Sequence, residues 1–176
     1  MLATRIGGGA MLLAVASVAL AAQTSGPAVD PGWLRADSAA RSVAVTLVAA
    51  LTPASGGLNF NGFTGGALTV TVPTGWTVTL HFKNQDQFLP HSVEIVRDTA
   101  SVPLGPVTPA FPHAASKALD QGLPAGSGED VRFVAAKPGA YLIFCAVPGH
   151  GQAGMWIRLT VSSAARAPSL QATAPH

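Results

Sequence analysis

Cysteine is nearly missing from this 176-residue chain: Cys145 is the only one. A single thiol excludes a disulfide framework within the chain and an iron–sulfur centre, which needs several thiolates. Charge is also scarce. Ten Lys+Arg stand against eight Asp+Glu, for a net charge of +2. So few charges among so many apolar residues exclude a highly charged disordered chain. The basic residues are scattered singly and form no stripe, so nucleic acid has no electrostatic footprint here. Methionine is rare too, with only Met1, Met11 and Met155. No internal repeat is present, and long helical stretches are few.

What remains is rich in Gly, Pro, Val and Thr, the composition of an all-β domain with many turns. Residues 1–22 read as a signal peptide. Arg5 opens it, Met11 to Leu20 is an apolar run, and Ala19-Leu20-Ala21 offers the small-x-small cleavage pattern. The competing reading is an uncleaved anchor, since Ile6 to Ala22 carries no charge. Either reading places the folded domain outside the cytoplasm, in a periplasmic or other extracytoplasmic compartment. Residues 23–40 read as a flexible lead-in, 41–161 as the folded domain, and 162–176 as a disordered tail.

Within 41–161 the apolar residues alternate as they do in half-buried strands. Val43, Val45 and Leu47 alternate with smaller residues. Trp76, Val78, Leu80 and Phe82 share one face of a run whose other face carries Thr77, Thr79, His81 and Lys83. Further strands are expected over 67–72, 91–96, 131–134, 140–145 and 155–161. Residues 98–128 break this rhythm with Pro and Gly and read as a long connection, with a helical turn near Ala114 to Leu119. The expected fold is a Greek-key β-sandwich of about seven or eight strands.

The chemistry concentrates between Cys145 and Met155. Once the first 22 residues are removed, these are the only Cys and Met, and His150 lies midway between them. Cys145 ends a strand and Met155 begins one. The loop between them has Pro148 and glycines at 149, 151 and 154, so it can curl and turn a thiolate, an imidazole and a thioether towards one point. His91, at the start of another strand after Phe88-Leu89-Pro90, is the best-placed fourth group. Two imidazoles, a thiolate and a weak axial thioether form the donor set of a blue copper site. Zinc has little use for a thioether, and calcium or magnesium would need an oxygen cluster that this loop lacks. Two plainer alternatives remain: Cys145 as a nucleophile with His150 as its base, and Cys145 with Met155 as core residues.

These residues resemble the cupredoxins, and within them the sulfocyanin and rusticyanin branch. The resemblance rests on Cys145-x4-His150-x4-Met155, Pro90-His91-Ser92 and Ala140-Tyr141, with Phe60-Asn61-Gly62 and Val72-Pro73-Thr74-Gly75-Trp76 in support. It spans roughly residues 43–161. It implies a cupredoxin fold and an electron carrier, not an enzyme, with one type 1 copper ion on His91, Cys145, His150 and Met155. The two-Cys loop of a binuclear centre is absent, and so is a second copper loop.

From Pro138 to Ile157 there is no charged side chain. An apolar patch near His150 is therefore expected, through which redox proteins of cytochrome or terminal oxidase/reductase type would dock. Membrane attachment is expected only if the N-terminal segment is retained. Ser92 could tie the two ligand loops together, and Phe144, Val147 and Trp156 are expected to keep the site dry. His81 is expected on the outer strand face. His113 and His176 carry no assigned role, and Trp33 and Trp76 read as structural anchors. The rival reading is a periplasmic copper chaperone or resistance protein, and a metal-free adhesion sandwich ranks third.

Overall fold

A computed structural model describes residues 27–173 of the chain. The segment read as a signal peptide, and His176, lie outside the described residues. Nine strands are described: β1 Leu34–Asp37, β2 Ser42–Ala49, β3 Leu68–Pro73, β4 Thr77–Asn84, β5 Glu94–Arg97, β6 Gly128–Val134, β7 Gly139–Phe144, β8 Trp156–Ser162 and β9 Ser169–Ala172. The only helical pieces among the described residues are the short 3-10 turns Pro31–Trp33 and Ala54–Gly57. One sheet runs in the order β1-β2-β4-β6, the other β5-β7-β8-β3-β9. The parallel pairs β2·β4 and β3·β8 each lie within one sheet, and the chain between their members passes through the other sheet. The all-β sandwich expected from the sequence is thus present.

The alternating residues supply the core. Val43, Val45 and Leu47 of β2, Val78, Leu80 and Phe82 of β4, and Ile157, Leu159 and Val161 of β8 all point inward. The solvent face of β4 carries His81 and Lys83, as the pattern requires. Strand β7 differs, because Tyr141 to Phe144 are buried on both faces. Tyr141, Ile143 and Cys145 face the main core. Leu142, Phe144 and Ala146 form a second cluster, with Val102, Leu119 and Trp156 packed against it. The long connection is therefore a cover over the outer face of this sheet, and β7 reads as a continuous apolar run because Tyr141 to Phe144 are shielded from water on both faces.

Three expectations need correction. Ala114 to Leu119 forms no helical turn. The Ile95 N–H donates to Ala114 O at 2.9 Å and the Ser116 N–H to Val93 O at 2.8 Å, so Ala114 to Ser116 lies extended along the open edge of β5, and a turn follows in which the Gly122 N–H donates to Ala118 O at 2.8 Å. As far as Ala172 the tail is not disordered, because β9 pairs antiparallel with β3 from Leu68↔Ala172 to Thr71↔Ser169. The lead-in is not wholly loose either. β1 pairs with β2, and Trp33 meets Phe63 edge-on at 6.4 Å. In both places a strand edge of the domain would otherwise be left with unpaired backbone groups.

Candidate metal centre

Strand parity and register bring the first two donors together. On β7, Tyr141 and Ile143 face the core, so Cys145, one step beyond the strand end, faces it too. The β7·β8 register ends with Phe144 opposite Trp156. One further rung, the Cys145 N–H donating to Met155 O at 3.0 Å, places Cys145 opposite Met155. Both side chains are fully buried in the same core cluster. The residues between them fold into a tight coil. The His150 N–H donates to Val147 O at 3.0 Å, Ala153 N–H to Gly149 O at 2.9 Å, and Met155 N–H to His150 O at 3.0 Å. Gly149 and Gly154 take φ +86 and +101, values that disfavour a side chain. At Gly151 a Cβ would lie 2.7 Å from the Phe144 ring, which supports the loop from behind.

His91 arrives from the loop after β4. Its N–H donates to Leu123 O at 3.2 Å and its carbonyl accepts from the Leu123 N–H at 2.7 Å, so the connection clamps its backbone. The His91 Nδ1 lies 3.9 Å from Cys145 Sγ, and the His150 Nδ1 lies 3.5 Å from the same sulfur. The donor atoms of His91, Cys145 and His150 all fall within 4.8 Å of one another. Donors spaced in this way can share one transition-metal ion, whose bonds to N and S run about 2.0–2.3 Å. No other group of three such side chains is found among the described residues. His81 is exposed and bonded to Asp130 at 2.7 Å, and His113 stands on a turn at φ +62.

A family model described as the sulfocyanin (SoxE) domain matches residues 32–171. The chain belongs to the sulfocyanin family. The sulfocyanin of Sulfolobus acidocaldarius is 28% identical over 138 residues, covering 74% of this chain and 69% of that protein. A structure of rusticyanin superposes with a TM-score of 0.51 at 20% identity, covering 80% of this chain and 89% of that one. Rusticyanin from Thiobacillus ferrooxidans gives 0.50 at 21% identity, over 69% of this chain and 82% of that one. These two structures share the fold. The sulfocyanin match reaches β1 and β9, in keeping with the strands found beyond 41–161. In this sulfocyanin-family chain the donor set is that of a type 1 centre, and the cofactor is one copper ion.

The surroundings of this sulfocyanin site suit soft, neutral ligands. Burial pushes the Cys145 thiol above its usual range, partly offset by the Ser92 and Val147 N–H groups and the Ser92 hydroxyl. Burial also lowers His91, against the pull of Asp86. It lowers His150 too, where a charge on His91 acts in the same direction and Asp86 opposes. The imidazoles therefore resist protonation, while the thiol must give up its proton to bind a metal. Ser92 joins the two ligand loops. Its N–H donates to Cys145 Sγ at 3.3 Å, and its hydroxyl accepts from the Ala146 N–H at 3.1 Å and donates to Leu119 O at 2.7 Å.

Of the three residues expected to keep the site dry, only Val147 lies in the cluster that holds Cys145. Phe144 and Trp156 are on the opposite face of the sheet. There Phe144 backs the loop, and Trp156 lies under the Arg158 guanidinium at 5.3 Å. Both fall one residue out of phase with the buried donors. Asp86 carries no functional signal in the sequence. Its carboxylate reaches His91 Nε2 at 3.1 Å, and in the sequence it is one more polar residue of a polar loop.

Proposed function

We propose that this sulfocyanin-family protein is an exported one-electron carrier that holds copper on His91, Cys145, His150 and Met155. One observation carries this reading. Cys145 Sγ stands between two imidazole Nδ1 atoms, with Met155 facing Cys145 across the strand pair. Bound copper supplies a one-electron couple between Cu(I) and Cu(II). The protein's part is to hold the donors still. His91, Cys145 and Met155 are fully buried, and His150 alone reaches partway to solvent. A closed site of this kind suits retention of the ion, which speaks against a chaperone that hands copper over.

Docking would occur around His150. Among the described residues the exposed large apolar side chains include Phe88 at 87%, Leu104 at 62% and Leu89 at 39%. Phe88 and Leu89 precede His91, and Leu104 O accepts the Gly149 N–H at 2.7 Å, so all three belong to loops flanking the site. The redox partners would be cytochrome-type proteins or terminal oxidases and reductases, met in small, weak encounters. Export rests on the pattern of residues 1–22. No helix among the described residues is long and apolar enough to cross a membrane.

Stopped-flow mixing of the reduced, copper-loaded protein with an oxidised redox protein tests the reading. A carrier gives up one electron and keeps its copper in the presence of a chelator, whereas loss of copper to the chelator would favour the chaperone. Ala153 is exposed in the ligand loop. In the Ala153→Glu variant the exchange is expected to slow with the visible spectrum unchanged. An unaltered rate would remove the docking patch from the proposal.

A further inference from the structure

We propose that Asp86 is the positioning residue for His91, holding the ring proton on Nε2 so that Nδ1 is presented bare to the metal. The inference rests on the copper reading above and adds a residue to that site. The two oxygens of Asp86 have separate tasks. Oδ1 accepts the Phe88 N–H at 2.8 Å and the Leu89 N–H at 3.0 Å, which shapes the loop ahead of His91. Oδ2 lies 3.1 Å from His91 Nε2. An ionised carboxylate can only accept, so Nε2 must donate and the neutral ring has its lone pair on Nδ1. That is the nitrogen facing Cys145 Sγ.

The loop is built around this contact. Asn84 is fully buried at the end of β4, its Oδ1 accepts the Asp86 N–H at 2.9 Å, and its amide donates to Leu89 O and Leu123 O, each at 2.9 Å. The side chain of Asp86 is 10% exposed and that of His91 is fully buried, so little water competes for the pair. Gly57 leaves the space. A Cβ there would lie 2.8 Å from Asp86 Oδ2. An anion on the outer nitrogen also makes the imidazole a stronger donor, which favours Cu(II) over Cu(I).

Asp86→Asn separates the two tasks. With the Asn oxygen kept on the Phe88 and Leu89 N–H groups, its NH2 meets Nε2 and demands a lone pair there. In the copper-free full-length chain, 15N NMR of the histidine rings is expected to show His91 protonated on Nε2 in the wild type. In the variant the proton moves to Nδ1. With Cu(II) and Cu(I) as probes, Cu(II) affinity is expected to fall about 10- to 100-fold, and Cu(I) affinity less. Each tenfold preferential loss of Cu(II) raises the one-electron potential by about 59 mV.

A purely structural Asp86 would leave Asn equivalent to Asp in tautomer, affinity and potential, and that result would overturn the inference. Finding the wild-type His91 proton on Nδ1 would do so without any variant. If the wild-type chain binds no copper, the proposed function fails, while the NMR result still decides what Asp86 does to His91.

Discussion

Glu94 is fully buried on β5, and each of its carboxyl oxygens lies 3.3 Å from the Val107 N–H, which the connection supplies. Burial raises this carboxyl from 4.5 to about 7, against the pull of that N–H. The folded state therefore holds the proton more tightly than the unfolded chain does. Its contribution is full below about pH 4.5 and declines as pH rises to about 7, by up to about 3 kcal/mol at ~1.36 kcal/mol per pH unit. His91 and His150 act with the opposite sign, since their lowered values stabilise the fold above pH 6.5 and cost stability as pH falls. Comparing wild type with Glu94→Gln cancels the histidines. Urea unfolding at pH 4.5 and pH 8 should show the wild type losing stability relative to the variant at the higher pH, and an unchanged difference would contradict this. At this scale the sequence was most legible where chemistry is unusual. A lone Cys, the one Met beyond residue 22 and a midway His have few uses together, whereas Asp86 and Glu94 are ordinary residues until folding places a histidine or an apolar sheet beside them.

At the scale of the element, strands were legible wherever one face is wet, because alternation then writes burial into the sequence. Strand β4 and its neighbour β2 are of this kind. β9 was not legible. Ser169 to Ala172 is short, of mixed polarity and mostly exposed, and its structure comes from pairing with β3, a contact between residues distant in sequence. The extended course of Ala114 to Ser116 has the same origin, since an open sheet edge captured backbone groups that a helical turn would have used. Ending the chain at Ser163 tests the role of β9. The Thr173 N–H donates to Ala67 O at 2.8 Å, so by the alternation of an antiparallel ladder the truncation uncovers the backbone groups of Ala67, Thr69 and Thr71, and it removes the packing of half-buried Leu170. A loss of about 1–3 kcal/mol in unfolding free energy is expected, with copper binding retained. An unchanged unfolding midpoint would mean that β9 lends the sandwich nothing.

Across the whole molecule, two sheets enclose one core, and the site occupies the end where β7 hands over to β8. Four loops or strand ends converge there: the turn after β4, the start of β8, the ligand coil, and the connection that clamps His91 and supports Gly149. Because the connection clamps His91 while Cys145, His150 and Met155 are bonded to one another where β7 passes into β8, the geometry depends on the complete sandwich. The most direct measurement is the visible absorption spectrum of the domain with Cu(II) added, followed by ascorbate. An intense blue band that bleaches on reduction is expected, marking a thiolate–Cu(II) bond from Cys145 that the Cys145→Ser variant should lack. A colourless protein that binds only Cu(I), or one that binds no copper, would contradict the account.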